Sequence, residues 1–127
     1  MSMQWQNVIK ALESLTEFFE RIGMPTSGDY FRKISAMIEQ GKLEEAVDEL
    51  TGLTLWGGAG SYIDKVLYPE DGYNFTMNEF GKINSEYNTL LLRLLSAVEV
   101  IAPRDWMPKL KTSLQGLVQH YSQMGDS

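Results

Sequence analysis

The stretch from residue 77 to residue 101, MNEFGKINSEYNTLLLRLLSAVEVI, has the longest apolar periodicity in the chain. Its apolar residues recur at steps of three and four and are Phe80, Ile83, Tyr87, Leu90, Leu91, Leu94, Leu95 and Val98. This spacing places them on one face of an α-helix. Pro103 follows, and proline cannot continue a helix. The stretch therefore predicts a long amphipathic helix that needs other helices to cover its apolar face.

The same periodicity predicts four further helices, over residues 5–22, 26–40, 42–55 and 105–121. Gly23 and Pro25 end the first, and Gly41 ends the second, as is typical of helix C-termini. In the third helix we expect both Leu43 and Leu53 to face inward. The last helix tolerates a proline in its first turn.

Three segments have the S/T-x-x-D/E pattern of a helix N-terminus, in which a hydroxyl caps the amide three residues on. They are Thr26 with Asp29, Ser61 with Asp64, and Thr76 with Glu79. The second pair predicts a short helix after Ser61. No run alternates well enough to require a sheet, and only residues 62–68 are compatible with a short strand. The expected fold is an all-α, single-domain bundle of five to six helices over residues 1–127 with a Gly-rich corner.

Composition restricts the function. The chain has a net charge of −6, no cysteine, and no basic patch interleaved with aromatic residues, so we expect no nucleic-acid partner. Its longest apolar run, residues 90–102, is interrupted by Arg93 and Glu99 and is too short to span a membrane. The first 19 residues lack the pattern of a signal peptide. We therefore expect a cytoplasmic protein without a membrane anchor.

The segment 56–64, WGGAGSYID, is the densest cluster of special residues. It lacks the lysine of a phosphate loop, and its serine is not flanked by the glycines of a hydrolase elbow. The corner consists of Trp56, Gly57, Gly58, Gly60, Ser61 and Asp64. One interpretation is structural, with Ser61 as a cap and Trp56 packed beneath. The alternative is an anion or small-ligand site formed by amides at a helix start.

Two other groups are candidate partner-binding residues. Glu44, Glu45, Asp48 and Glu49 form an acidic stripe on the third helix. It is either a solvated face or a docking edge for a basic protein. Tyr73 and Phe75 lie in the longest loop, where they either contact a partner or fold back on the core.

Catalytic and metal-binding groups are scarce. His120 is the only histidine, and no other ligand stands at the right spacing, so we expect it at the surface. We predict no metal, no cofactor and no enzymatic activity.

The Gly-rich segment carries a family resemblance. Residues 56–67, with Gly57-Gly-Ala-Gly-Ser61, Asp64 and an aliphatic Val66-Leu67, are similar to a small bacterial family of uncharacterised proteins marked by a GG-x-GS-x-x-D segment. The resemblance covers roughly residues 29–99. That family usually has Met at the position of Ala59 and Asn at the position of Ile63, so any role of that Asn does not transfer. The resemblance implies a shared fold, and small acidic helical proteins of this kind resemble immunity partners of bacterial toxins.

Together these features favour a non-catalytic protein-binding domain, most specifically a cytoplasmic immunity protein that neutralises a basic toxin domain. The alternative is a small-ligand or regulatory module that uses the Gly-rich corner. The oligomeric state does not follow from the sequence.

Overall fold

A computed structural model describes residues 1–124, and all the regular structure in that range is helical. The helices are α1 (Met3–Arg21), α2 (Pro25–Glu39), α3 (Leu43–Leu50), α4 (Leu53–Trp56), α5 (Phe80–Ile101) and α6 (Met107–Met124). Short 3₁₀ turns cover Pro69–Asp71 and Met77–Glu79. The predicted all-α bundle of five to six helices is confirmed. The segment 62–68, which is compatible with a strand by sequence, is irregular.

Helices α1 and α2 form a tight hairpin. Gly23 adopts the left-handed conformation, with φ of 80°, just after α1 ends. The two helices approach closely at Gly28, whose carbonyl accepts a hydrogen bond from Thr16 Oγ1 at 3.3 Å. Because Pro25 occupies the first turn of α2, the N-cap falls on Met24. The predicted cap at Thr26 is therefore wrong.

Helices α5 and α6 form the second hairpin. The turn between them contains Pro103, and Pro108 lies in the first turn of α6 as expected. Lys111 Nζ and Glu99 Oε1 pair across the hairpin at 2.7 Å, and Ser85 Oγ meets Ser122 Oγ at 2.7 Å. At the other end of α5, Thr76 and Glu79 form the predicted capping box.

An aromatic cluster joins the two hairpins. Phe18 of α1 stacks on Tyr87 of α5 with 5.7 Å between ring centroids. Phe19, the next residue, stacks on Phe31 of α2 at 5.8 Å. The ring centroids of Tyr62 and Phe31 lie 4.9 Å apart. Helix α1 therefore lies at the centre of the core, between α2 and α5.

The predicted third helix is in fact two helices. It ends at Leu50, and the single turn α4 begins at Leu53. The break lies at Gly52, where an added Cβ would stand only 2.7 Å from the carbonyl oxygen of Asp48. Because the register is interrupted there, Leu53 points outward and is 80% exposed. Leu43, in the first turn of α3, is 40% exposed. The expectation that both leucines face inward is wrong.

Candidate docking surfaces

The Gly-rich segment forms a turn after α4 and does not begin a helix. Gly58 and Gly60 have φ of 96° and 85°, which only glycine adopts readily. The amide of Ser61 donates to Gly58 O at 2.9 Å, and the amide of Asp64 donates to Ser61 O at 3.2 Å. No helix follows within residues 61–68, so the predicted cap at Ser61 is wrong. Its hydroxyl is buried without a hydrogen-bond partner, whereas Asp64 is exposed.

The amides at the end of this turn, from Ser61 to Asp64, are engaged by the protein's own backbone. Those of Tyr62 and Ile63 donate to Thr54 O at 3.0 Å and to Leu55 O at 2.9 Å. An anion site at a helix start would need free amides and a following helix, and residues 61–64 provide neither. The turn places Tyr62 against the aromatic cluster, so the turn has a structural role in positioning this side chain.

Trp56 lies beneath the turn. This residue is 9% exposed, and Nε1 donates to Leu50 O at 2.8 Å, which fixes the orientation of the indole. Gly57 follows directly at the C-terminus of α4 and is exposed. An added Cβ there would lie 2.6 Å from the carbonyl oxygen of Leu53, so this position accommodates only glycine without movement.

The extended segment after the turn is held by Asn84 of α5, which is fully buried. Its Oδ1 accepts from the amide of Leu67 at 2.8 Å, and its Nδ2 donates to Leu67 O at 2.9 Å. A single side chain thus satisfies both backbone groups of Leu67. Sequence reasoning missed this clamp. The signal was a polar residue between Phe80 and Tyr87 on the apolar face of the longest helix.

The two loop aromatics fold back on the protein. Phe75 is buried in the core, and Tyr73 is half-buried beside it, with 6.3 Å between the ring centroids. The amide of Asn74, between them, donates to Ile22 O at 2.7 Å and ties the loop to the end of α1. For Phe75 the alternative of folding back on the core is the correct one, so it offers little surface to a partner.

The acidic stripe is divided between two roles. Glu44, Glu45 and Asp48 are exposed, whereas Glu49 is half-buried and accepts a hydrogen bond from Tyr30 Oη at 2.7 Å. Burial of the Tyr30 ring, and then its bond to Glu49, raise the pKa of Tyr30. Within residues 1–124 none of these four carboxylates forms a salt bridge. Three charges of the stripe are therefore available to a partner.

A second acidic surface lies in the groove between α1 and α2, with a cavity volume of about 340 Å³. Glu13, Glu17 and Glu39 line it, as does Arg32, which already binds Glu20 at 2.8 Å and Asp29 at 2.7 Å. The first three carboxylates have no salt bridge within the described part of the chain. The part of the protein formed by α1 to α3 therefore has two acidic surfaces, one on α3 and one in the α1–α2 groove.

The charge reverses along the chain. Residues 1–55 contain nine acidic and five basic side chains, residues 56–79 contain four acidic and one basic, and residues 80–124 contain three acidic and five basic ones. The half formed by α5 and α6 is thus mildly basic. A partner with a positively charged surface would be attracted to one side of this protein and not to the other.

An apolar groove of about 460 Å³ separates α4 from the first turns of α6, and sequence reasoning missed it. We call it the tryptophan groove; it is lined by Thr51, Gly52, Leu53, Trp56, Asp105, Trp106, Lys109, Leu110 and Ser113. Trp106 is 38% exposed. Trp106 precedes Leu110 and Leu114 at four-residue steps, so its spacing alone predicts a buried position, and the sequence gives no signal for the groove.

The described residues form neither a metal site nor a membrane-spanning helix. No group of three or more His, Asp or Glu side chains within residues 1–124 is placed to hold a metal ion. His120 lies at the surface of α6, as predicted, next to the ring of Tyr121. None of the helices described is long and apolar enough to cross a membrane.

Comparison with known proteins gives no relative. The chain matches no protein-family model, and no significant match was found among curated proteins or solved structures. The resemblance of the Gly-rich segment to an uncharacterised bacterial family therefore stays a prediction.

Proposed function

We propose that this protein is a non-catalytic protein-binding domain that docks a basic partner through the acidic half formed by α1 to α3. The observation that carries the proposal is the set of exposed carboxylates that form no salt bridge within residues 1–124: Glu44, Glu45 and Asp48 on α3, and Glu13, Glu17 and Glu39 in the α1–α2 groove.

The arrangement has a cost for the isolated protein. Glu44 with Asp48, and Glu13 with Glu17, are like-charged pairs four residues apart on a helix, and such pairs are destabilising. A lysine at one position of each pair would remove the repulsion. A basic partner would remove it too, and clustered surface charge accelerates the encounter of oppositely charged proteins. Docking of a basic partner therefore explains the like-charged pairs, whereas a solvated face does not.

The specific form we propose is an immunity protein that acts in the cytoplasm of a bacterium and covers the active site of a basic toxin domain. Its support is the acidic surface and the resemblance of small acidic helical proteins to immunity partners. Less supports the small-ligand alternative, since residues 61–68 form no helix and the amides of Ser61, Tyr62 and Ile63 donate to the protein's own backbone.

The first experiment identifies the partner. The protein is used as bait in native lysate of its own organism, and captured proteins are identified by mass spectrometry. A gene for a large protein with a toxin-like C-terminal domain beside this one provides a direct candidate. Co-expression with that domain should rescue cell growth. Failure to rescue, with both proteins folded and present, counts against the immunity role.

The second experiment tests the docking surface. The double variant Glu44→Lys/Asp48→Lys leaves the Tyr30–Glu49 contact intact and should slow association with the identified partner, most strongly at low salt. The matched control is Glu70→Lys/Asp71→Lys, which makes the same charge change at two exposed residues of the 3₁₀ turn. Stopped-flow association at two salt concentrations measures the effect. Equal slowing by both variants would mean that only net charge matters.

A further inference from the structure

Helix α3 has an apolar row on its outer side. Leu43 and Val47 are one turn apart, and together with Glu44 and Asp48 they line a shallow depression of about 330 Å³. Thr51 stands one further turn along, at the C-cap of α3, where its hydroxyl donates to Val47 O at 2.8 Å. Residues four apart lie next to each other on a helix surface, so these three form a continuous line.

The row leads into the tryptophan groove, because Thr51 also lines that groove. Leu53 and Trp106 follow on its rim, and both are large apolar side chains with much of their surface in solvent. Large side chains beside a concave apolar floor are the usual anchors of protein interfaces. We call the row and the groove together the α3–tryptophan surface.

The charge on this surface is uneven along its length. Glu44 and Asp48 flank the row over α3, and neither forms a salt bridge within residues 1–124. In the groove, Asp105 and Lys109 carry opposite charges and offset each other. The surface is therefore acidic at the α3 end and electrically neutral at the groove end.

We infer that the α3–tryptophan surface binds an amphipathic α-helical segment of the partner. Its basic end lies over α3, and an uncharged end inserts a bulky apolar side chain into the tryptophan groove. This inference rests on the proposed function and specifies the segment that is bound. A segment of about 15 residues, roughly 22 Å long as a helix, is long enough to follow α3 and reach the groove. Helix-in-groove recognition uses apolar anchors at three- and four-residue spacing, which matches the row.

The charge pattern of the surface also favours a basic foreign segment over a second copy of this chain. A second copy of this chain, docked through the same surface about a two-fold axis, would place Glu44 and Asp48 over its groove end, where Asp105 and Lys109 offset each other and supply no net positive charge. A foreign segment with lysine or arginine at one end meets them with opposite charge. The surface thus fits a basic partner better than it fits the protein itself.

The test uses two synthetic peptides of about 16 residues with identical composition. In the first, leucines follow a helical face, lysines flank its N-terminal half, and a phenylalanine ends the apolar face. In the second, the residues are permuted so that no apolar face forms. Isothermal titration calorimetry should show the first peptide binding at least about tenfold more tightly, a difference that corresponds to roughly 1.4 kcal/mol.

Variants of the protein locate the site. Leu53→Ser should weaken binding of the first peptide about fivefold to tenfold, because a leucine at the groove rim loses its buried contact. The control Val100→Ser removes a comparably exposed apolar side chain from α5 and should leave affinity unchanged. Both sites are highly exposed, so both variants should fold, and a melting curve verifies this. Glu44→Lys/Asp48→Lys should weaken binding of both peptides.

The outcomes separate this inference from the proposed function. Equal affinity of the two peptides, with no effect of Leu53→Ser and a clear effect of the charge reversal, would overturn the inference and leave charge-based docking standing. If both peptides bind with affinities that neither variant changes, or bind nowhere, both proposals are contradicted. Tighter binding of the first peptide, lost in Leu53→Ser and kept in Val100→Ser, establishes the α3–tryptophan surface.

Discussion

The α5–α6 hairpin and the segment from residue 51 to residue 79 are built on different principles. In the hairpin, every turn of α5 contributes at least one buried side chain, so many similar contacts together stabilise α5 against the rest of the protein. In the segment 51–79, regular structure is limited to one turn of α-helix and two 3₁₀ turns. Individual contacts hold that segment, such as the bonds of Asn84 to Leu67. The loss of one contact should therefore have a larger effect in the segment than in the hairpin.

The largest effect is expected from Asn84→Ala. This variant leaves the amide and the carbonyl of Leu67 buried and unpaired, and each such group costs about 1–3 kcal/mol. We expect a loss of about 3 kcal/mol in the free energy of unfolding, measured by urea denaturation. The control is Asn88→Ala, one turn along α5 and equally buried, where the side chain makes one hydrogen bond to Asn84 O. It should cost about 1 kcal/mol. Equal losses would show that the clamp adds nothing.

Glycine substitutions contrast the two regions directly. Gly57→Ala puts a Cβ within 2.7 Å of the Leu53 main chain, so α4 has to shift. We expect a loss of roughly 2 kcal/mol, typical of a forced overlap. Gly116→Ala, inside α6 with no atom within 4 Å of the new Cβ, should instead stabilise the protein by about 0.5–1 kcal/mol through helix propensity. Differential scanning calorimetry should show melting temperatures that move in opposite directions.

The contact between Tyr30 and Glu49 gives a smaller, pH-dependent effect. Burial and the bond to Glu49 raise the pKa of Tyr30, and burial also raises the pKa values of Tyr62, Tyr73, Tyr87 and Tyr121. Because these values are higher in the folded state, the stabilisation is complete below the unfolded pKa of about 10 and is lost as pH rises above it. We expect Tyr30→Phe to cost about 1 kcal/mol at pH 7.

The same variant should also reduce the fall in stability between pH 10 and pH 11, because one of the shifted tyrosines is gone. Urea denaturation at pH 8, 10 and 11 measures this difference. A steeper alkaline loss in the variant than in the native protein would contradict the assignment to Tyr30.

The smallest effect is expected from Ser61→Ala. The pattern Ser61-x-x-Asp64 predicted a cap, and loss of a cap costs about 0.5–2 kcal/mol. In the structure the hydroxyl is buried without a partner, so its removal should leave stability unchanged within about 0.5 kcal/mol or raise it slightly. The control Thr76→Ala removes a residue of the observed capping box and should cost about 1 kcal/mol. Chemical denaturation of both variants distinguishes the two types of site.

The sequence was most informative where apolar residues repeat. Helices α1, α2, α5 and α6 follow from three- and four-residue spacing, since that pattern directly encodes a buried helix face. The prediction from apolar spacing was wrong between residues 51 and 68. There the path depends on Gly52 and Gly57, on left-handed glycines, and on a buried asparagine 17 residues away from its partner Leu67. Local patterns do not contain such pairings, and S/T-x-x-D/E occurs at Thr26 and Ser61 without capping a helix.

The candidate surfaces show the same division. The acidic residues of α3 were found from sequence, because charge is local information, although the bond from Tyr30 to Glu49 was not. The tryptophan groove was missed, since it joins residues 51–56 with residues 105–113. No sequence pattern relates two segments that meet only in the fold.

The stack of Phe18 on Tyr87 has a consequence for the order in which the protein folds. Each hairpin has a connection of only a few residues, so its helices meet after closing a short loop, and local contacts of this kind form rapidly. Phe18 and Tyr87 meet across 69 positions of chain, and closing so long a loop costs more entropy. The two hairpins should therefore form before they join. The segment 57–79 becomes ordered only after that, when Asn84 and Leu67 come together, and its amides should exchange with solvent earlier than those of α5.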